Sequence, residues 1–276
     1  MAVGAPARGR DDRVLRSTRA LCVFIVPFLV VAWVILYLFP AHTAQVWAWV
    51  IPVQMTSMVL ASAYLGGAYF FVRVAREQHW HHTGAGFLAV TTFASLLGVA
   101  TLLHWSKFLH HHLAFWLWAG LYFTTPFLVV GAWLANRRYA VAPTDGDVVL
   151  RPVERAVIAV VGMAALVQGL VMFVTPSAVI DLWPWPLTPL TCRVVAAVFC
   201  LGGAGVSVWV DPRWTSLRLM LQVEVVMLVL ILVGAVRARG EMVGGRALTW
   251  PLLLGAVGML AGSAFLWIRY ERRPAG

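Results

Sequence analysis

Apolar residues fall in eight long runs, at 20–39, 52–74, 86–104, 112–134, 157–174, 190–210, 217–236 and 248–268, separated by short polar or turn-forming segments. Each run is close to the roughly 20 residues that cross about 30 Å of hydrocarbon. In lipid every backbone N–H and C=O needs an internal partner, so such runs are helical. A barrel would show short alternating strands, and no such alternation is present. The pattern predicts an all-α polytopic membrane protein with eight transmembrane helices. The first run follows Arg8, Arg10, Arg13, Arg16 and Arg19, as the core of a signal peptide would. Its length of about 20 residues exceeds the roughly 7–15 of such a core, so it is read as an uncleaved span.

Composition narrows the class. The chain is 61% hydrophobic and 12% charged, with mean hydropathy +0.83. Soluble domains carry about 45–50% apolar and about 25% charged residues. A soluble enzyme, a nucleic-acid module and a disordered chain are excluded, and the expected surroundings are the lipid bilayer. The net charge of +10 then reads as an orientation signal. With the N-terminus inside, 16 basic residues fall on cytoplasmic segments and five (Lys107, Arg193, Arg237, Arg239 and Arg246) outside. Basic residues gather on the cytoplasmic side, so both termini are expected there. Lys107 is the only Lys and Asn136 the only Asn. That bias towards GC-rich codons points to a high-GC bacterium and its plasma membrane. Cys22, Cys192 and Cys200 lie in apolar stretches and read as packing residues.

The halves are related. Shifting the sequence by 136 positions brings Pro40 onto Pro176, Trp47 onto Trp183 and Trp49 onto Trp185. Leu65-Gly66-Gly67-Ala68 meets Leu201-Gly202-Gly203-Ala204. A shift of 134 then pairs Trp116 with Trp250 and Trp133 with Trp267. The expected organisation is a basic segment at 1–19, a four-helix repeat at 20–134, a cytoplasmic linker at 135–154 and a second four-helix repeat at 155–276. Four spans per repeat make the duplication parallel, about an axis along the membrane normal.

A few residues carry candidate chemistry. Trp47, Trp49, Trp183 and Trp185 are expected as interfacial anchors in an aromatic belt, or as a short element roofing a cavity. Gly66, Gly67, Gly202 and Gly203 are expected to let helices approach closely, with Gly255, Gly258 and Gly262 as another contact stripe. Glu224 is the only acid well inside a span, and Gln222 is near it. A carboxyl there must be protonated, paired or turned to a polar cavity. A Gln168–Glu224 hydrogen bond is one expectation, and a proton or cation site the other. Arg193 is a further intramembrane polar candidate. His104 with His110, His111 and His112 forms a hairpin whose imidazoles are of the type that binds metal or haem, against the plainer reading of interfacial histidines. His79-Trp80-His81-His82 reads as a polar turn facing headgroups. No nucleophile–base–acid set, phosphate loop or metallohydrolase motif is present, so the chain carries no enzyme signature.

Two stretches, FPAHTAQVWAWVIPVQMTSMVLASAYLGGAYFFVRVAREQHW and WPWPLTPLTCRVVAAVFCLGG, resemble segments of uncharacterised multi-pass membrane proteins of actinobacteria. A Leu-His-x-x-x-Phe-His pattern in those proteins is matched by Leu103, His104 and Phe108, with Leu109 at the second His position and His110 one place later. The resemblance implies an eight-span bacterial membrane protein and no particular activity. Three functional classes follow: a small-molecule, lipid or ion-handling protein with a site between the repeats, a metal- or haem-binding redox protein, and a non-catalytic subunit of a membrane complex or homo-oligomer.

Overall fold

The computed structural model describes residues 11–271. Arg8, Arg10, Arg272 and Arg273, which enter the charge count, lie outside them. Eight helices are long and apolar enough to cross a membrane: α1 (Arg16–Leu38), α2 (Gln54–Arg76), α3 (Gly84–Leu103), α4 (Leu113–Arg137), α5 (Pro152–Val174), α6 (Pro189–Trp209), α7 (Trp214–Arg237) and α8 (Thr249–Glu271). One helix corresponds to each predicted run. Among the described residues no strand forms beyond isolated bridges, at Arg13–His79, Trp49–Phe108 and Val149–Arg213.

Local chemistry sets the helix ends. Pro152 and Pro189 occupy first-turn positions of α5 and α6, where a missing N–H costs nothing. Thr188 caps α6, its Oγ1 accepting from the Thr191 N–H at 3.2 Å. No side chain of its own segment caps α2. Its first N–H groups instead donate to the Glu241 carboxylate, Gln54 N at 2.9 Å and Met55 N at 2.8 Å. A carboxylate at a helix N-terminus satisfies orphan donors and complements the dipole. Here it also fastens the α7–α8 connection onto α2.

Within the first half α1 packs on α2 and α3 on α4, and within the second α5 packs on α6. The halves meet where α2 packs on α7 and α3 on α6. The core follows this seam: α2 is the most enclosed span and α8 the least. The 135–154 connection is docked rather than loose. Leu150 N donates to Pro212 O at 2.9 Å and Trp214 N to Val148 O at 2.8 Å. The buried Arg213 donates to Val141 O at 3.0 Å while paired with Asp211 at 2.6 Å. Asn136 ties the N-terminal segment to α4, accepting from Leu15 N at 2.9 Å and donating to Thr18.

Glycine permits the closest approaches. A Cβ on Gly66 would stand 2.7 Å from Met227 Cγ of α7, and one on Gly202 2.6 Å from Ala165 Cβ of α5. Gly67 and Gly203 are looser, with nearest side chains at 3.3 and 3.4 Å. The tightest approach to backbone is between α5 and α6, where a Cβ on Gly162 would lie 2.6 Å from Gly202 O. The stripe expected from Gly255, Gly258 and Gly262 makes no contact, for nothing lies within 4 Å of a Cβ at any of them. That face of α8 points away from the bundle. The two Leu-Gly-Gly-Ala segments also differ in winding. The first continues as α-helix to Arg76, whereas from Leu201 to Trp209 α6 winds as a 3-10 helix, far beyond the usual 3–4 residues.

Gly162→Ala is therefore expected to destabilise the protein by about 1–3 kcal/mol through overpacking against backbone. Gly258→Ala on the open face should be neutral or slightly stabilising. Thermal unfolding of the two variants in one detergent would show the difference, and equal midpoints would contradict the α5–α6 contact.

Candidate functional site

At the end of the bundle carrying the tryptophan pairs, the expected belt is replaced by a plug. Trp47 is 7% exposed, and Trp49, Trp183 and Trp185 are each 1% exposed. They pack on one another and on the bundle: Trp47–Trp49 at 6.0 Å between ring centroids, Trp49–Trp118 at 4.7 Å and Trp183–Trp185 at 5.3 Å. Trp185 Nε1 donates to Thr56 Oγ1 at 2.9 Å across the halves. Enclosed indoles cannot anchor in headgroups, so the interfacial-anchor reading is corrected. Sequence gives the amphipathic residue type but not which side of it the protein covers.

The histidine hairpin folds under this plug without converging. His104 Nε2 lies 2.7 Å from Nη1 of Arg193 on α6, whose Nε donates to Phe173 O at 3.0 Å. Guanidinium only donates, so His104 accepts as a neutral ring and this nitrogen is occupied. His112 Nδ1 is 3.3 Å from Trp47 O. His111 stacks edge-on to His112, and His110 packs 4.6 Å from the Phe115 ring. The four do not bring three ligand atoms within 4.8 Å of one another.

The intramembrane amides and carboxyl also separate. Glu224 accepts from Ser263 Oγ of α8 at 3.5 Å, and Gln168 lies 4.0 Å from Met172 Sδ on its own helix. The expected Gln168–Glu224 hydrogen bond is absent, because α5 packs on α6 and Glu224 turns to α8. Gln222 joins the seam instead. Its Oε1 accepts from Tyr69 Oη at 2.9 Å and from Arg73 Nη1 at 3.1 Å, while the same Nη1 donates to Tyr69 Oη at 3.0 Å.

That network borders a cavity of about 110 Å³ at the arginine-rich end of the seam, lined by Arg73, Glu77 and His82 from the first half and Thr215, Arg218 and Leu219 from the second. Arg218 pairs with Glu271 at 2.8 Å and keeps its Nε buried without a hydrogen-bond partner among the described residues. Glu77 follows α2 directly. Its Oε1 accepts from the Gln78 and His79 N–H groups at 2.8 and 3.2 Å, and its Oε2 lies 3.2 Å from His82 Nδ1. Burial alone would raise the Glu77 carboxyl, but these hydrogen bonds outweigh it and hold the group below the usual carboxylate range. Burial, then His81, push the His82 imidazole below its ordinary value against the pull of Glu77. Carboxylate and neutral imidazole therefore coexist near neutral pH.

The turn is held rigidly. Trp80 is buried and donates its N–H to Asp12 O at 2.7 Å, and Val14 N donates to Gln78 O at 3.1 Å. His81 pairs with Asp12 through Nδ1, and its Nε2 lies 3.2 Å from Thr215 Oγ1. Trp80 and His81 of the turn expected to face headgroups are thus turned into the protein, while the His79 side chain is 55% exposed. Glu77, Arg73, Thr215 and Arg218 are the site residues that sequence reasoning missed. The one local signal was the Glu-x-His-x-x-His spacing, and the meeting with Thr215 and Arg218 had none.

By class this is an all-α chain with eight helices long and apolar enough to cross a membrane. No family model, curated protein or solved structure matches it, so its functional reading rests on these residues.

Because Glu224 has one long hydrogen bond, Glu224→Gln is expected to leave stability within about 0.5 kcal/mol of wild type or to raise it. A fall of more than about 1 kcal/mol in a denaturant titration would reveal a partner that binds the carboxylate specifically.

Proposed function

We propose that the protein is a small-ligand-handling protein of a bacterial plasma membrane, with both termini cytoplasmic and a site between tandem four-helix halves. The ligand chemistry is a phosphate-type oxyanion, carried by a lipid headgroup or free in solution. The observation that carries this reading is the cavity at the seam, lined by Arg73 and Arg218 beside His82 and Thr215. Arg218 is already paired with Glu271, but Arg73 meets only Tyr69 and Gln222 and has no ion pair among the described residues, and guanidinium is the side chain best matched to phosphate geometry. The cavity lies at the last turn of α2 and the first turn of α7, the depth at which lipid phosphates are found in a bilayer. A volume of about 110 Å³ admits a headgroup phosphate and excludes acyl chains. The equivalent pairings α2–α7 and α3–α6 favour the tandem arrangement, with the site on the surface the duplication brings together.

Charge-assisted hydrogen bonds contribute about 1.5–3 kcal/mol each. Arg73→Gln and Arg218→Gln should each weaken binding roughly 10-fold or more. Native mass spectrometry from nanodiscs mixing phosphatidylglycerol and phosphatidylcholine tests the lipid source, and calorimetry with inorganic phosphate tests the free anion. Retention of phosphatidylglycerol by wild type but not by the variants supports a headgroup site, and a phosphate isotherm lost in the variants supports a soluble oxyanion. If wild type binds neither, or the variants match it, the proposal fails.

A further inference from the structure

Beyond the oxyanion reading, the geometry points to a site for a divalent transition metal of the zinc type, formed by Glu77, His79 and His82. One ligand atom from each of these three residues lies within 4.8 Å of the other two. His79 Nδ1 is 3.7 Å from Glu77 Oε1, and His82 Nδ1 is 3.2 Å from Glu77 Oε2. A tetrahedral ion about 2.0–2.1 Å from nitrogen and oxygen ligands holds them roughly 3.3 Å apart. The His82–Oε2 edge already matches that spacing, whereas the His79 distance runs to the other oxygen, Oε1, so the exposed His79 ring turns towards Oε2 to complete the set.

The donor set decides the metal class. Two imidazoles and one carboxylate suit zinc, cobalt, nickel or copper, whereas magnesium and calcium prefer all-oxygen shells. Three protein ligands leave a fourth position open, the pattern of sites that bind water or substrate on the metal. Glu77 and His82 also line the seam cavity, so a bound cation adds positive charge beside Arg73 and Arg218.

The ligands are preorganised. All three lie within six residues, on a turn fixed by the buried Trp80, by the Trp80 N–H bond to Asp12 O and by the Arg13–His79 bridge. Glu77 Oε1 takes two backbone N–H bonds, which orient the carboxylate and leave Oε2 towards His82. His81, between the ligands, is turned away to Asp12 and Thr215. Its ring stands 4.2 Å from that of His82, with the two planes at 69°. The plainer account is that His79 and His82 only hydrogen-bond Glu77, and it predicts no stoichiometric metal.

The test uses the full-length protein in detergent with any affinity tag removed, stripped with chelator and titrated with Zn²⁺, with Co²⁺ absorption as a second readout. Wild type should bind one equivalent. Glu77→Gln, His79→Ala and His82→Ala should each weaken binding at least about 10–100-fold, the loss that even outer-shell partners cause. His79 is half exposed and its ring contacts are with His81 and His82 of the same turn, so His79→Ala remains informative if the other two fold poorly by circular dichroism. The triple variant His110→Ala, His111→Ala, His112→Ala should bind as wild type. Arg73→Gln with Arg218→Gln should also keep the metal, so a failed anion site and a failed metal site are distinguishable. Absence of one-equivalent binding, binding unchanged by His79→Ala, or binding lost in the hairpin triple would overturn the assignment.

Discussion

In hydrocarbon a polar group has no water to fall back on, and leaving one unpaired costs several kcal/mol. That constraint makes every span a helix and sends each polar side chain either to a partner or to an end of the bundle. Several such partners are found where α7 meets α1 and α2. Tyr37 Oη donates to Leu230 O at 2.8 Å, and Arg237 donates back to Tyr37 O at 2.8 Å. Glu241 caps α2 from across the seam, and the Tyr69–Arg73–Gln222 network closes its arginine-rich end. Between lipid-facing helices there is no hydrophobic driving force, so close packing and such cross-links hold them together.

The two ends of the seam do different work. At one, indoles and phenyl rings fill the space between the halves, and His104 and Arg193 are consumed in a contact with each other. At the other, the chain leaves a polar cavity and surrounds it with cations, a carboxylate and imidazole. The N-terminal segment folds over that end through Asp12 and Val14, fixing the turn that carries Glu77, His79 and His82. A rigid turn over a small cavity is the arrangement in which few groups can define a site, since preorganisation lowers the cost of binding.

The halves share helix pairings but not detail. The aligned Leu-Gly-Gly-Ala segments serve different contacts, Gly66 against Met227 and Gly202 against Ala165. Only the second sits in a 3-10 stretch, where its backbone meets Gly162. The seam site draws on the Glu77–His82 turn of one half and the start of α7 in the other, so its chemistry is asymmetric although its scaffold is paired.

Apolar run length alone determined the eight helices, because the cost of exposed backbone in lipid acts on each segment independently of its neighbours. The close approach at Gly66 and Gly202 was legible for the same reason: absence of a side chain is a local property. Burial of Trp47, Trp49, Trp183 and Trp185, the loss of the Gln168–Glu224 pair and the idle face of Gly255, Gly258 and Gly262 were decided only by tertiary packing. The last two depend on which face of a helix meets another helix, and an all-round apolar span carries almost no periodic signal of that; the tryptophans lie in connections between spans, and their burial depends on how those connections dock. The seam cavity lies further still from the sequence. Glu77 and Arg218 are 141 positions apart, and only the packing of α2 on α7 makes them neighbours.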